Sequence, residues 1–200
     1  MTSDLRTFLD LPKSILRPLT LDEVAAIVDV DRKVVFRMIK EGNIPESVIS
    51  SSKTTVIGSQ PMLKPIACPI VQFQLTTGHQ LGSQLHGRLV REIGNVAKGS
   101  SRQGVFEEGA LRVDLIGVVT KTVSRMAALA GAEAAVIFNP EIRGGLPVMR
   151  GTRIGVYEAA DLYKVEPIPY ILENFPTLTE EHLEQASIYA KAHPLNKIAS

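Results

Sequence analysis

The sequence predicts an α+β protein, mainly helical, with a helix-turn-helix at its amino end, a mixed central segment and a winged helix-turn-helix-like module at its carboxyl end. Three observations carry this. Two short amphipathic helical patterns near the start are parted by a three-residue break. The run Asn139–Val156 packs glycines, prolines and three arginines between apolar residues, the composition of a hairpin with basic side chains, and further helical patterns follow it. Between these ends, apolar residues switch from period two to helical spacing. The implied organisation is an irregular arm (1–18), the helix-turn-helix (19–46), the central segment with a dimerisation role (47–135), the carboxyl-terminal domain (136–194) and a short tail (195–200).

Composition narrows the function classes. The 200 residues are 44% hydrophobic and 22% charged, the balance of a soluble globular chain. A net charge of +1 gives no global basic field, so a nucleic-acid interface has to come from local patches. Cys68 is the single cysteine, which removes intramolecular disulfides and cysteine-based zinc sites and points to the cytoplasm. The stretch from Leu115 to Phe138 is the most apolar, but Lys121, Arg125 and Glu133 interrupt it, so no membrane span is expected. Without tryptophan and with 5% aromatics, stacking on single-stranded bases is poorly supplied.

In chain order, Pro12 and Pro18 keep the arm irregular. Thr20 with Glu23 forms a capping box that starts a helix with an apolar stripe of Leu21, Val24, Ala25 and Val28. Asp31 caps a second helix to about Glu41, with Val34, Val35, Met38 and Ile39 inward, and Gly42-Asn43-Ile44-Pro45 stops it. Arg32, Lys33, Arg37 and Lys40 stand outward on that second helix, with Phe36 among them. On the second helix of a helix-turn-helix such cations are candidate DNA contacts; on any other surface helix they are a solvated face.

Residues 46–65 read as a linker or exposed strands. Val71–Leu75 alternates as a half-buried strand, and Leu81, Leu85, Leu89, Ile93 and Val96 predict a helix. Leu111–Leu115 alternates again, and Val119, Val123, Met126, Ala127 and Ala130 continue helically, so the strand-then-helix order occurs twice. The apolar arc of this last helix is wider than one core stripe needs. Leu115, Val119, Val123 and Met126 are therefore expected at a homodimer interface, the alternative being a central buried helix.

The carboxyl-terminal part opens with Val136–Phe138 and the hairpin, then predicts helices over Val156–Tyr163, around Ile168–Phe175, and over Glu180–His193 with Thr179 as its cap. Glu180, Glu181 and Glu184 make the last helix acidic outward, which disfavours phosphate contact. Arg143, Arg150 and Arg153 could hydrogen-bond within the hairpin, form a DNA wing, or meet an acidic protein.

The run "LTLDEVAAIVDVDRKVVFRMIKEGNIP" resembles the helix-turn-helix of excisionase- and regulator-like DNA-binding proteins, with Asp29 where a turn glycine is usual. The runs "NPEIRGGLPVMRGTRIGV", "ILENFPTLT" and "EQASIYAKAHP" look like the family catalogued as domain of unknown function number 433, covering residues 136–194. Gly155 stands where that family usually has proline, and Lys164-Val165-Glu166 lacks its usual helix-ending glycine. The resemblance implies a winged-helix antitoxin of the VapB kind, which represses its own operator DNA and neutralises a PIN-type ribonuclease toxin. A DNA-binding regulator without a toxin is the alternative. Neither cofactor nor metal is expected, and no enzyme: there is no GxGxxG or GxxxxGK[ST] run, His79 and His86 lack a third ligand nearby, and nothing gathers Asp10, Asp114 or Glu107-Glu108 around a metal.

Overall fold

The computed structural model describes residues 6–50, 61–77, 83–101, 104–109 and 111–195. The architecture is mainly helical, with eight α-helices and three two-stranded antiparallel sheets among the described residues. The chain divides into two units, Met1–Ala127 and Ala128–Ser200, with the boundary inside one long helix. The first unit takes in the amino-terminal helix pair and the described part of the central segment up to Ala127.

In the first unit the arm is irregular but not detached. It forms 3-10 turns at Phe8–Asp10 and Lys13–Ile15, and Leu11 and Ile15 are buried. α1 (Leu21–Val28) begins with the capping box: Thr20 Oγ1 accepts from the Glu23 amide at 3.2 Å, and Glu23 Oε2 accepts from the Thr20 amide at 2.6 Å. The same carboxylate holds Arg17, whose Nη2 lies 2.6 Å from Oε1. α1 ends at Asp29, whose φ of 59° is the left-handed conformation that a turn glycine would adopt. Asp is among the few residues that take it at modest cost. α2 (Arg32–Lys40) starts where Asp31 Oδ1 accepts from the Lys33 amide at 2.7 Å. It buries Val35 and Met38 and packs on α1. The two strands β1 (Ile49–Ser50) and β2 (Met62–Leu63) pair antiparallel, and Leu19 exchanges two 2.8 Å backbone hydrogen bonds with Leu63 on the other side.

The expected strand at Val71–Leu75 is instead part of α3 (Ala67–Thr77). Ala67, Cys68, Ile70, Val71, Phe73 and Gln74 are all buried, so this helix is covered around much of its circumference and shows no clean stripe. A short apolar run of that kind has the same appearance in a strand and in a buried helix. α4 (Ser83–Ala97) follows as expected, burying Leu89, Ile93 and Val96; Leu81 and His79 lie outside the described residues. Of the two expected strand-then-helix units, at 71–96 and 111–131, only the second forms as such. β3 (Val105–Glu108), which the periodicity did not reveal, pairs antiparallel with β4 (Leu111–Asp114). Ahead of β3, Gly104 has a φ of 57°, and a Cβ there would lie 2.0 Å from Ile116 Cγ1, so no larger residue fits.

α5 (Leu115–Ala134) is long and apolar enough to meet the length and composition test for a membrane span. It carries Lys121, Arg125 and Glu133, and one side of it is buried against the rest of the first unit. Leu115, Val119, Val123 and Met126 have at most 1% exposure. These four side chains, expected at a dimer interface, are already used in the interior; they line one side of the helix, and Ile116, Val118 and Ala127, which widen the apolar arc, are only partly buried. Arg125 reaches from α5 to the Ile27 carbonyl in the last turn of α1 and to Gln72 Oε1 on α3, both at 3.3 Å.

In the second unit the last turns of α5 lead into β5 (Val136–Phe138), paired antiparallel with β6 (Pro147–Met149) in the register Val136↔Met149, Ile137↔Val148 and Phe138↔Pro147. α6 (Val156–Val165), α7 (Ile168–Asn174) and α8 (Glu180–Ala192) complete it. Their core joins Met149, Val156, Ala159, Ala160, Ile171, Leu183 and Ala186, with α6 and α8 packed along each other. The small alanines at facing positions permit that close approach. Tyr157 and Tyr189 meet edge to face at 6.3 Å between ring centroids, and burial, then the neighbouring Tyr189, pushes the Tyr157 phenol up to about 12. Gly155 precedes α6 with φ −64°, the angle a proline would impose, so the turn keeps the shape that proline would give it. α6 ends without a left-handed glycine because Glu166 turns extended and Pro167 follows. Thr179 caps α8 from its side chain, accepting from the His182 amide at 3.1 Å. Residues beyond Leu195, including Lys197, lie outside the described residues.

Candidate nucleic-acid interface and hairpin surface

Two basic surfaces were expected, and they are built differently. On α2, successive residues advance about 100° around the axis. With Val35 and Met38 turned inward, Lys33, Arg37 and Lys40 fall together on the opposite side, and all three are exposed. Arg37 has one weak partner, Glu41 one turn on at 4.0 Å. The Lys40 ammonium sits 4.7 Å from the Phe36 ring centroid. Arg32 departs from the group: its Nε lies 3.4 Å from Oδ1 of Asp22, a buried carboxylate of α1, so this guanidinium ties the two helices together. Sequence position alone could not separate Arg32 from its neighbours, because Asp22 precedes the break.

The hairpin connection, Asn139–Leu146, is longer than a tight turn and is folded by its own contacts. Asn139 Oδ1 accepts from the Glu141 amide at 3.0 Å, and the Asn139 carbonyl accepts from the Ile142 amide at 2.9 Å. Arg143 adopts φ 49°, and its guanidinium pairs with Glu158 in the first turn of α6. Gly155 leaves room for it, since a Cβ at 155 would lie 3.3 Å from Arg143 Nη1. Arg150 folds back so that Nε and Nη2 both donate to the Ala134 carbonyl, at 3.0 and 2.7 Å. That carbonyl ends α5, where helix acceptors are left over and a cation is favoured. Gly151, at φ 78°, then turns the chain, and Thr152 locks the corner by donating to the Met149 carbonyl and accepting from the Ile154 amide.

Arg153 is the exception among the three hairpin arginines. It is exposed and has no hydrogen-bond or ion-pair partner among the described residues. It stands at the edge of a shallow, open groove of about 490 Å³ lined also by Ile137, Ile142, Gly151, Thr152, Ile154 and Thr177. The groove thus combines apolar side chains with one guanidinium that has no partner among the described residues. Phe138 and Leu146 are further exposed apolar side chains of the hairpin, at 61% and 53% exposure. On α8, Glu180, Glu181 and Glu184 are exposed, so that helix is acidic outward as expected.

Cys68 is buried, and its thiol is raised well above the ordinary range, first by burial and then by the charge of Glu23. A thiol so placed is inert and belongs to the core.

Comparison with known proteins places a family match within the second unit. Residues 136–190, from β5 into α8, match the family described as "Protein of unknown function (DUF433)". A relative from Sinorhizobium fredii, "Uncharacterized protein y4eO", is 30% identical over 189 residues, spanning 88% of this chain and 82% of that protein. The chain belongs to the DUF433 family, and its likeness to this relative extends through the amino-terminal unit as well. No solved structure matches it.

Proposed function

We propose that the chain is a cytoplasmic antitoxin that binds operator DNA through α1 and α2 and represses its own expression, while its DUF433 unit engages a PIN-type ribonuclease toxin. The observation that carries the DNA half is the exposed row Lys33, Arg37 and Lys40 on a helix whose start is fixed by the Asp31 cap and the left-handed Asp29. A short, rigidly started helix bearing cations on its outer side is what a recognition helix needs in the major groove, where phosphates draw it in and base edges select the register. Arg32 supports the motif from inside by clamping α2 to Asp22.

The toxin half rests on the family resemblance. Within the DUF433 unit the acidic outer side of α8 argues against phosphate contact and in favour of a protein partner. Arg143 and Arg150 are engaged within the chain, so Arg153 and its groove form the surface best suited to a toxin carboxylate. Repressors of paired half-sites act as two-fold dimers, and in this reading the pairing uses a surface other than Leu115, Val119, Val123 and Met126.

Gel shifts with the DNA upstream of the gene, run over a range of salt, test the first half; absence of a salt-dependent shift removes it. Co-expression with the adjacent reading frame tests the second. Copurification of a ribonuclease whose activity is suppressed supports the antitoxin, whereas DNA binding with no ribonuclease partner leaves the plain regulator.

A further inference from the structure

Resting on the DNA reading of α2, we infer that Phe36 is a base-reading residue that packs against thymine methyl groups in the major groove. At 100° per residue, Phe36 falls between Arg32 and Lys40 around the helix, on the flank of the basic row and away from Val35 and Met38. Phe36 is 38% exposed, and Lys40 lies over its ring one turn further on. Its place on the helix keeps the aromatic side chain at the rim of the charged face, in contact with the Lys40 ammonium.

A phenyl ring cannot neutralise a phosphate, and it offers neither donor nor acceptor to a base edge. In the major groove, the apolar feature available to it is the C5 methyl of thymine, which cytosine, adenine and guanine lack. Lys33, Arg37 and Lys40 then supply affinity that is largely indifferent to sequence, and Phe36 adds preference for thymine at one position of each half-site. Burying one methyl is worth about fourfold in binding.

The test uses the full chain and the DNA upstream of its own gene, prepared once with thymidine and once with deoxyuridine throughout, which removes every thymine methyl and keeps the hydrogen-bonding edges. Wild type is expected to bind the deoxyuridine fragment about fourfold more weakly for each methyl contacted. Phe36→Ala is expected to bind both fragments equally, and Phe36→Leu, which keeps an apolar tip, to retain part of the preference. Thermal melts of both variants verify that α2 is intact. Equal binding of the two fragments by wild type, or the same loss in wild type and Phe36→Ala, overturns the role of Phe36 while leaving DNA binding standing. If wild type shifts neither fragment, the DNA reading itself fails, and this inference with it.

Discussion

The basic row of α2 and the arginines of the β5–β6 hairpin are alike in sequence and opposite in duty. On α2, Lys33, Arg37 and Lys40 lie on the outside of a helix whose caps are satisfied by other residues, Asp31 at the start and backbone donors at the end. Within the local fold their charge meets only the 4.0 Å contact of Arg37 with Glu41 and the Phe36 ring beside Lys40. In the hairpin, Arg150 completes the end of α5 and Arg143 holds the loop to α6, so two of three guanidinium groups serve the fold. A cluster of cations becomes a candidate binding surface only after the carbonyls and carboxylates of its own fold have been supplied. By that criterion α2 offers three charges and the hairpin one.

The largest expected effect lies on α2. Lys33→Ala/Arg37→Ala/Lys40→Ala should lower the slope of log affinity against log salt by about one unit for each phosphate contact removed, and weaken binding at moderate salt by orders of magnitude. Its melting temperature should stay close to that of wild type, because the three side chains are exposed. A triple variant that binds operator DNA with the wild-type salt slope would place the interface elsewhere. The opposite signature is expected for Arg150→Ala: unchanged DNA affinity and a loss of about 1–2 kcal/mol of stability, from two charge-assisted hydrogen bonds at a helix end. Arg150→Lys should recover only part of it, since lysine cannot make the two-pronged contact with the Ala134 carbonyl. Urea denaturation of the two variants measures the difference directly.

What the sequence disclosed follows from how local each cause is. The capping box at Thr20–Glu23 and the caps at Asp31 and Thr179 act over two or three residues, and they mark the helix starts seen in the structure. Asp29 in the place of a turn glycine was legible for the same reason, because the left-handed turn needs a residue that tolerates it. Val71–Leu75 misled because a helix buried around much of its surface loses the contrast between inward and outward positions. The α5 arc had two explanations, a partner chain or burial within the chain, and only the packing shows that Leu115, Val119, Val123 and Met126 are buried within the chain. Least legible were the arginines. The partners of Arg32, Arg143 and Arg150 are Asp22, Glu158 and the Ala134 carbonyl, ten to sixteen residues away, and no spacing rule announces them.

A smaller effect is expected at Arg143. Its pair with Glu158 is about half exposed on both sides, and such pairs contribute at most about 1 kcal/mol because water and salt screen them. Arg143→Ala should therefore cost less than Arg150→Ala, and raising the salt concentration should shrink the difference from wild type. A cost as large as that of Arg150→Ala, or one insensitive to salt, would mean that the loop depends on Arg143 for more than this ion pair.

The smallest effect on the fold, and the most decisive for the comparison, is expected at Arg153. It has no partner to lose among the described residues, so Arg153→Ala should change stability by no more than about 0.5 kcal/mol, the range of ordinary surface substitutions. If the groove beside it receives a toxin segment with a carboxylate, the same substitution should markedly weaken copurification with the adjacent ribonuclease, and Arg153→Glu should abolish it by setting like charges against each other. Ile142→Ser, which removes apolar lining from the same groove, should weaken capture by another route. The two routes must agree: Arg153→Glu acts through charge and should be relieved by salt, whereas Ile142→Ser acts through burial and should not. Capture unaffected by either substitution would show that the unpaired arginine is a solvated side chain and that toxin contact, if it exists, uses another part of the DUF433 unit.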